Sequence, residues 1–167
     1  MAGDMHTPDM PAEVTLRAGY LLSRLGAAAR EAFAAELAPL GLRPSHYGAL
    51  VLLKKHEPAS QQALASGLGV DRSLIVRIVD HLEALGAVER RPDPLDRRRH
   101  ALHLTSTGRD LIEQCDTIAG QVQDKRLAPL SPQQRRDLLN LLTILASHDL
   151  QASTPPPSTA THPPAGA

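Results

Sequence analysis

The chain of 167 residues has room for one domain with a moderate core, and its 18 Lys and Arg residues balance its 18 Asp and Glu residues. Any affinity for nucleic acid must therefore come from a local basic patch, because the whole molecule carries no net charge. The longest apolar run, residues 47–53, is far shorter than the roughly 20 residues of a membrane helix. With no secretory signal pattern and a single cysteine, the chain is expected to be cytoplasmic, with no membrane partner.

The two ends of the chain differ in composition from the body between them. Residues 1–12 are polar and interrupted by proline, which predicts a flexible N-terminus. Residues 150–167 are rich in Pro, Ser, Thr and Ala and lack core-forming side chains, which predicts a disordered tail. The folded body is therefore expected over residues 13–149.

The body opens with the spacing of two helices. Apolar residues recur every three or four positions over about residues 13–38, which predicts a long first helix. Pro39 and Gly41 are expected to end this helix. A second helix is predicted over about residues 45–56, and Pro58 interrupts its pattern.

Two shorter helices are predicted next, joined by a tight turn. Ser60 and Asp71 are favourable N-caps for a third helix over residues 61–66 and for a fourth helix that runs to Leu85. Gly86 suits the cap position after the fourth helix.

A hairpin follows, over residues 87–91 and 100–104, which have the length and composition of two short strands. In the second strand Leu102 and Ala101 are expected on opposite faces. Thr105 then caps a fifth helix whose apolar stripe comprises Leu111, Cys115, Ile118 and Val122. A capping box with proline at the first helical position, Ser131, Pro132 and Gln134, opens a sixth helix.

The third and fourth helices together have the spacing of a helix-turn-helix. Ala65 is the small residue where two steeply crossed helices touch, Gly69 provides the turn, and Ile75 is the apolar residue that locks the second helix. The buried side of the second helix is predicted to comprise Ile75, Ile78, Val79 and Leu82.

Four residues on the opposite side of this helix are candidates for DNA contact: Arg72, Ser73, Val76 and Arg77. The N-terminal end of such a helix enters the major groove, where Arg can pair with guanine, Ser with several bases, and Val can touch a thymine methyl group. Ser60 is a fifth candidate, since the amides at helix N-termini suit phosphates. The alternative is that these are exposed residues of an ordinary helical hairpin.

The segment RRPDPLDRRRHALHLT, residues 90–105, places five arginines in and beside the hairpin. A helix-turn-helix followed by a two-stranded ribbon is the order of a winged helix, so we interpret the loop as the tip of a wing. Arg97, Arg98 and Arg99 are expected to reach the minor groove or backbone of DNA, and Asp96 to hold an arginine in place. The alternative is a merely solvated basic turn.

The segment LGVDRSLIVRIVDHLEALGAVERRPDPLDRRRHALHLTSTG, residues 68–108, resembles the MarR family of bacterial transcription regulators. The family's Asp-x-Arg in the wing is matched by Asp96 and Arg98. Its closing Leu-Thr-x-x-Gly is matched from Leu104 to Gly108.

The resemblance covers residues 15–149 and implies a mainly α fold with a small two-stranded β-wing. A winged helix-turn-helix is expected over about residues 44–105, flanked by dimerisation helices at about 13–38 and 106–149. The resemblance further implies a homodimer that binds a pseudo-palindromic operator in double-stranded DNA. Such proteins commonly repress transcription, sometimes activate it, and are released by a small phenolic or other anionic ligand.

The resemblance also implies a ligand cleft lined by the first, second and fifth helices. The candidate side chains on these elements are Tyr20, His46, Tyr47 and Cys115. Simpler interpretations compete: Tyr47 as a core residue, His46 as a helix-start residue, and Cys115 as a buried thiol without a basic neighbour to lower its pKa.

No enzyme, cofactor or metal site is predicted. The sequence shows no phosphate loop, nucleophile motif or paired catalytic acid, and its histidines lack metal-ligand spacing. An alternative from another class is a winged-helix module that binds an acidic protein. Against it, the arginines fall on both of the elements expected to face a DNA groove: Arg72, Arg77, Arg90, Arg91, Arg97, Arg98 and Arg99.

Overall fold

The computed structural model describes residues 17–92 and 100–152, with side chains up to residue 148. The elements in these ranges are α1 (Ala18–Leu37), a 3₁₀ helix (Ala38–Leu40), α2 (Pro44–His56), α3 (Gln61–Leu68), α4 (Arg72–Ala84), β1 (Val88–Pro92), β2 (His100–Leu104), α5 (Ser106–Leu127) and α6 (Pro132–Ala152). Two strands and a majority of helix confirm the expected fold class. None of the described helices is long and apolar enough to cross a membrane.

The chain divides into two compact units, Met1–Arg126 and Leu127–Ala167. The expected flexible N-terminus, residues 1–12, lies outside the described residues, as does most of the expected tail. The start of that tail at residue 150 was placed too early, because α6 continues to Ala152.

The connection between α1 and α2 contains the predicted break. The α-helix ends at Leu37, and the chain tightens into the 3₁₀ helix that contains Pro39. Gly41 then adopts a φ of 69°, a left-handed conformation that glycine takes without a steric penalty. Pro44 starts α2 one residue earlier than predicted, since proline is favoured at the first helical position.

The core of the first unit lies among α2, α3, α4 and β2. Its largest fully buried side chains on these elements are Leu50, Leu53, Leu64, Ile75, Ile78, Val79, Leu82 and Leu102. All four residues predicted for the buried side of α4 belong to it, which confirms that face. Because burying one Leu or Ile contributes roughly 1.5–3 kcal/mol, this cluster holds the helix-turn-helix and the base of the hairpin together.

β1 and β2 form an antiparallel hairpin in which Arg90 pairs with Leu102. Leu102 also bridges to Ala59, whose carbonyl accepts the Leu102 amide at 2.8 Å. The segment before α3 is therefore attached to the hairpin. Ala101, which was expected on the opposite face of β2 from Leu102, is buried as well. Its methyl group lies opposite the long side chain of Arg91 and offers little surface to solvent.

Thr105 caps α5 as predicted, since its Oγ1 accepts the amide of Gly108 at 3.0 Å. The predicted apolar stripe needs one correction. Ile112 is buried together with Cys115, whereas Leu111 and Ile118 are only partly buried.

In the second unit, α6 begins with the predicted capping box. The Ser131 amide donates to Gln134 Oε1 at 2.9 Å, and the Gln134 amide donates to Ser131 Oγ at 3.3 Å. Large apolar side chains further along α6 stay exposed: Leu139, Leu141, Ile144 and Leu145. In the first unit, α1 likewise exposes Leu21, Leu22 and Leu25.

Candidate nucleic-acid interface

The two helices of the helix-turn-helix begin at side-chain caps. Ser60 Oγ accepts the amide of Ala63 at 3.1 Å, and Asp71 Oδ1 accepts the amide of Leu74 at 2.8 Å. Both predicted N-caps are confirmed. Between the helices, Gly69 takes a φ of 64°, which allows the sharp turn that brings α4 across α3.

Ser73 takes part in the cap of α4. Its hydroxyl donates to Asp71 Oδ1 at 2.6 Å. This hydrogen bond, followed by that from the Leu74 amide, holds the pKa of Asp71 below its usual range. Ser73 therefore offers DNA an acceptor lone pair, while its proton is directed to the cap in this state.

The outer side of α4 carries two arginines with free charge. Arg72 and Arg77 are exposed, and Val76 is half-buried between them. Together with Ser73 they line one shallow depression. Within the described ranges neither guanidinium forms an ion pair. The four predicted reading residues thus share one surface, and its charge is available to a partner.

A groove of about 740 Å³ separates this helix pair from the hairpin. Arg72 of α4 and His100 of β2 line it. The polar residues that α3 and its cap contribute are Ser60, Gln61, Gln62 and Ser66. Of these, only Ser60 was selected from the sequence. Gln62 and Ser66 follow from helical spacing, since they lie four residues apart on the side of α3 away from the buried Leu64, whereas Gln61 lies one turn before Leu64.

Two arginines expected on the DNA-facing surface are instead engaged with carboxylates of the chain. Arg90 pairs with Asp80 and Glu83, and Arg91 pairs with Glu89. Both belong to the arginines that the sequence places on the elements expected to face DNA, and there carboxylates of the same chain bind them. The wing-tip candidates Asp96, Arg97, Arg98 and Arg99 lie outside the described residues and stay predictions.

The base of the hairpin is held by Glu57, a residue that sequence reasoning missed. Its Oε1 accepts the amide of Leu104 at 3.0 Å, and its Oε2 accepts Arg109 of α5 at 2.8 Å. No local sequence motif predicts these contacts, because Glu57 is separated from Leu104 by 47 residues and from Arg109 by 52 residues along the chain.

His46, a ligand candidate, is a buried helix-start residue. Its Nδ1 accepts the amide of Arg43 at 3.1 Å, and its ring stacks on that of His81 at a centroid distance of 4.5 Å. Burial, with help from the charges of His81 and Arg43, lowers the pKa of His46 to about 4. The neutral ring therefore serves the start of α2.

Tyr47 and Cys115 lie in one neighbourhood on α2 and α5. The Tyr47 hydroxyl donates to Asp116 Oδ1 at 2.5 Å, and its ring meets that of Phe33 edge-on at 5.5 Å. Burial, followed by the Asp116 contact, raises the pKa of Tyr47 to about 12. Cys115 is fully buried, and burial raises the pKa of its thiol.

Tyr20, the fourth ligand candidate, contacts Arg24 within α1, with the guanidinium 5.9 Å from the ring centroid. Of the four ligand candidates, Tyr47 and Cys115 thus lie near each other, whereas His46 contacts Arg43 and His81, and Tyr20 contacts Arg24. The part of the chain that the structure describes contains no cluster of three side chains able to hold a metal ion.

Comparison with known proteins decides the family. The model of the MarR family matches residues 40–99. A transcriptional regulatory protein assigned to the hcr operon of Thauera aromatica is 35% identical over 132 residues, which are 78% of this chain and 80% of that protein. The chain belongs to the MarR family. The HTH-type repressor NicR of Pseudomonas putida is also similar, with 30% identity over 85% of this chain and 90% of NicR.

Two solved MarR family structures are similar throughout the body. One is a protein of Mycobacterium tuberculosis in complex with DNA, with 30% identity, a TM-score of 0.69 and coverage of 77% of this chain and 97% of that one. The other is CouR of Rhodococcus jostii bound to p-coumaroyl-CoA, with 32% identity, a TM-score of 0.62 and coverage of 77% and 90%. This MarR protein is therefore a transcription regulator with a winged-helix DNA-binding fold, and not an enzyme.

Proposed function

We propose that this MarR protein is a ligand-responsive repressor that binds a pseudo-palindromic operator as a homodimer in the cytoplasm. The observation that carries the proposal is the pair of exposed arginines on the outer side of α4, Arg72 and Arg77, neither of which forms an ion pair with a residue that the structure describes. An arginine is most useful to DNA when no carboxylate of its own chain competes for it. The repressor NicR and the DNA-bound M. tuberculosis protein support this assignment.

In the proposed complex the start of α4 enters the major groove. Arg72 and Arg77 pair with guanine edges, and Val76 contacts a thymine methyl group. Ser60 and the start of α3 lie against the phosphate backbone. Arg97, Arg98 and Arg99 extend the contact from the wing tip, with Asp96 orienting one of them.

The homodimer is proposed from the apolar residues that the chain leaves exposed. Leu25 of α1 is 63% exposed and Leu141 of α6 is 59% exposed. On each of these helices, the exposed large apolar side chains mark a surface that a partner covers. Two-fold symmetry then requires an operator with two inverted half-sites about 10–10.5 base pairs apart.

The effector is proposed to be a small phenolic or other anionic compound that binds near Tyr47 and Cys115. CouR, which binds p-coumaroyl-CoA, supports a ligand of this kind. The carboxylate of Asp116 accepts a hydrogen bond from the Tyr47 hydroxyl, so a ligand bound here would find a hydrogen-bond acceptor for a donor group of its own. This chemistry favours a phenolic hydroxyl over a carboxylate at that end of the ligand.

The test is selection of bound duplexes from a random pool at near-physiological salt. The chain is expected to enrich an inverted repeat, and Arg77→Ala is expected to relax one position in each half-site at a cost of about 1–3 kcal/mol. Arg136→Ala, an exposed arginine of α6, is the charge-matched control and keeps the preference. Absence of any enriched motif contradicts the proposal and favours a protein-interaction module.

A further inference from the structure

Arg90 is the point where the hairpin is joined to the recognition helix. Its Nη2 lies 2.5 Å from Asp80 Oδ1, and its Nη1 contacts Glu83 Oε2. Asp80 and Glu83 stand three residues apart, on one side of α4. The Arg90 side chain is only 23% exposed, against 59% for Arg91 on the next position of the same strand. The two neighbouring arginines of β1 therefore differ in environment.

The geometry restrains Arg90 in two directions. A guanidinium is planar, so two of its nitrogens bound to two separate carboxylates define the orientation of the group. On the strand side, Arg90 pairs with Leu102, which is fully buried and also bridges to Ala59. A rotation of the hairpin against α4 must therefore break the ion pairs or disturb the core.

The charge of this cluster is unsuited to binding phosphate. One arginine and two carboxylates sum to a net charge of −1. Arg90 nevertheless lines the groove with Arg72 and His100, close to the surface proposed for DNA. A favourable effect of the cluster on DNA binding must therefore act through geometry, because its net charge repels the backbone.

We propose that Arg90, Asp80 and Glu83 form a positioning cluster that sets the wing relative to the recognition helix. The proposal rests on the proposed function, since the geometry serves a wing and a helix that contact one DNA duplex together. Arg90 is thus a positioning residue, and the unpaired Arg72 and Arg77 are the contact residues.

The direction in which one double substitution changes DNA affinity separates this role from a direct phosphate contact. In the double variant Asp80→Asn with Glu83→Gln, two negative charges disappear beside the DNA surface. If Arg90 binds phosphate, the double variant binds DNA more tightly, because its arginine is released. If the cluster positions the wing, the double variant binds DNA about three- to tenfold more weakly.

The experiment measures the dissociation constant for the selected operator over a series of salt concentrations. Arg90→Ala is expected to weaken binding by a similar factor and to leave the slope of log K against log salt unchanged, whereas a lost phosphate contact lowers the slope by about one. Arg90→Lys is expected to restore part of the affinity, since it keeps the charge and loses the planar fork. Glu89→Gln, which frees the exposed Arg91 on the same strand, is the matched control and weakens nothing.

A second measurement needs no DNA and separates the two proposals. Amide hydrogen exchange in β1 and β2 is expected to accelerate in Arg90→Ala and in the double variant, with α5 unaffected. Tighter binding by the double variant, a lower salt slope in Arg90→Ala, or unchanged strand exchange would each overturn the positioning role. Failure of the unmodified chain to bind any duplex refutes the proposed function instead, and strand exchange still decides the role of the cluster.

Discussion

Gly108, in the first turn of α5, lies against the backbone of Ala87. A Cβ at this position would overlap the carbonyl oxygen of Ala87 and lie 3.0 Å from its carbonyl carbon and from Leu104 Cδ2. Backbone cannot rotate away as a side chain can, so Gly108→Ala must displace the start of α5. The same carbonyl of Ala87 accepts the Thr105 amide at 3.2 Å, and this contact moves with the helix.

The expected cost combines three contributions. Forcing a methyl group into filled space costs about 1–3 kcal/mol. Loosening two hydrogen bonds of Thr105, to Ala87 and at 2.6 Å to the Gly86 carbonyl, costs about 1 kcal/mol each. Alanine regains about 1 kcal/mol through its higher helix propensity. Gly108→Ala should therefore lower the free energy of unfolding by roughly 2–4 kcal/mol.

Gly120→Ala is the control for this prediction, because it makes the same change in the same helix where nothing lies within 4 Å of the added Cβ. It should raise stability by up to about 1 kcal/mol. Urea denaturation of both variants at equal protein concentration measures the difference. Equal stabilities for the two variants would refute the close-packing argument, since helix propensity alone predicts that both are stabilised.

Three further predictions concern buried or partly buried groups. His46 takes up a proton near pH 6.5 in the unfolded chain but near pH 4 in the folded one, so stability should fall as pH drops through that window. His46→Gln should flatten this decline in urea titrations at pH 4.5 and 7, and an equal decline in both proteins would exclude His46 as its cause. Glu57→Ala leaves the Leu104 amide without its acceptor and should cost about 1–3 kcal/mol, whereas Glu57→Gln should recover most of the loss. Cys115, buried with a raised pKa, should react with a thiol reagent only after unfolding, and rapid labelling of the native protein would contradict its burial.

Features set by neighbours along the chain were predictable from the sequence. The caps at Ser60, Asp71 and Thr105 each involve a hydrogen bond to a residue three positions on, so residue type and spacing determine them. The buried side of α4 was predictable for the same reason, since helical periodicity alone separates Ile75 from Arg77.

Contacts between distant segments were not predictable. Arg90 and Arg91 are adjacent arginines of one basic segment, and the sequence does not distinguish them. In the fold, two carboxylates of α4 pair with Arg90, whereas Arg91 pairs with Glu89 on its own strand. The helix-start role of His46 was an open alternative in the sequence, whereas the stacking of its ring on His81 of α4 was not predictable.

The sequence by itself determined the helix-turn-helix, the hairpin that follows it and the family, because these depend on hydrogen bonds and apolar spacing within a few residues. Only the tertiary structure decided which cations are free. Among the residues that the structure describes, no carboxylate pairs with Arg72 or Arg77, whereas two of them pair with Arg90. The physical reason is that the groups within a few ångströms of an arginine decide whether its charge is available to a partner. For Arg90 those groups come from another element of the fold.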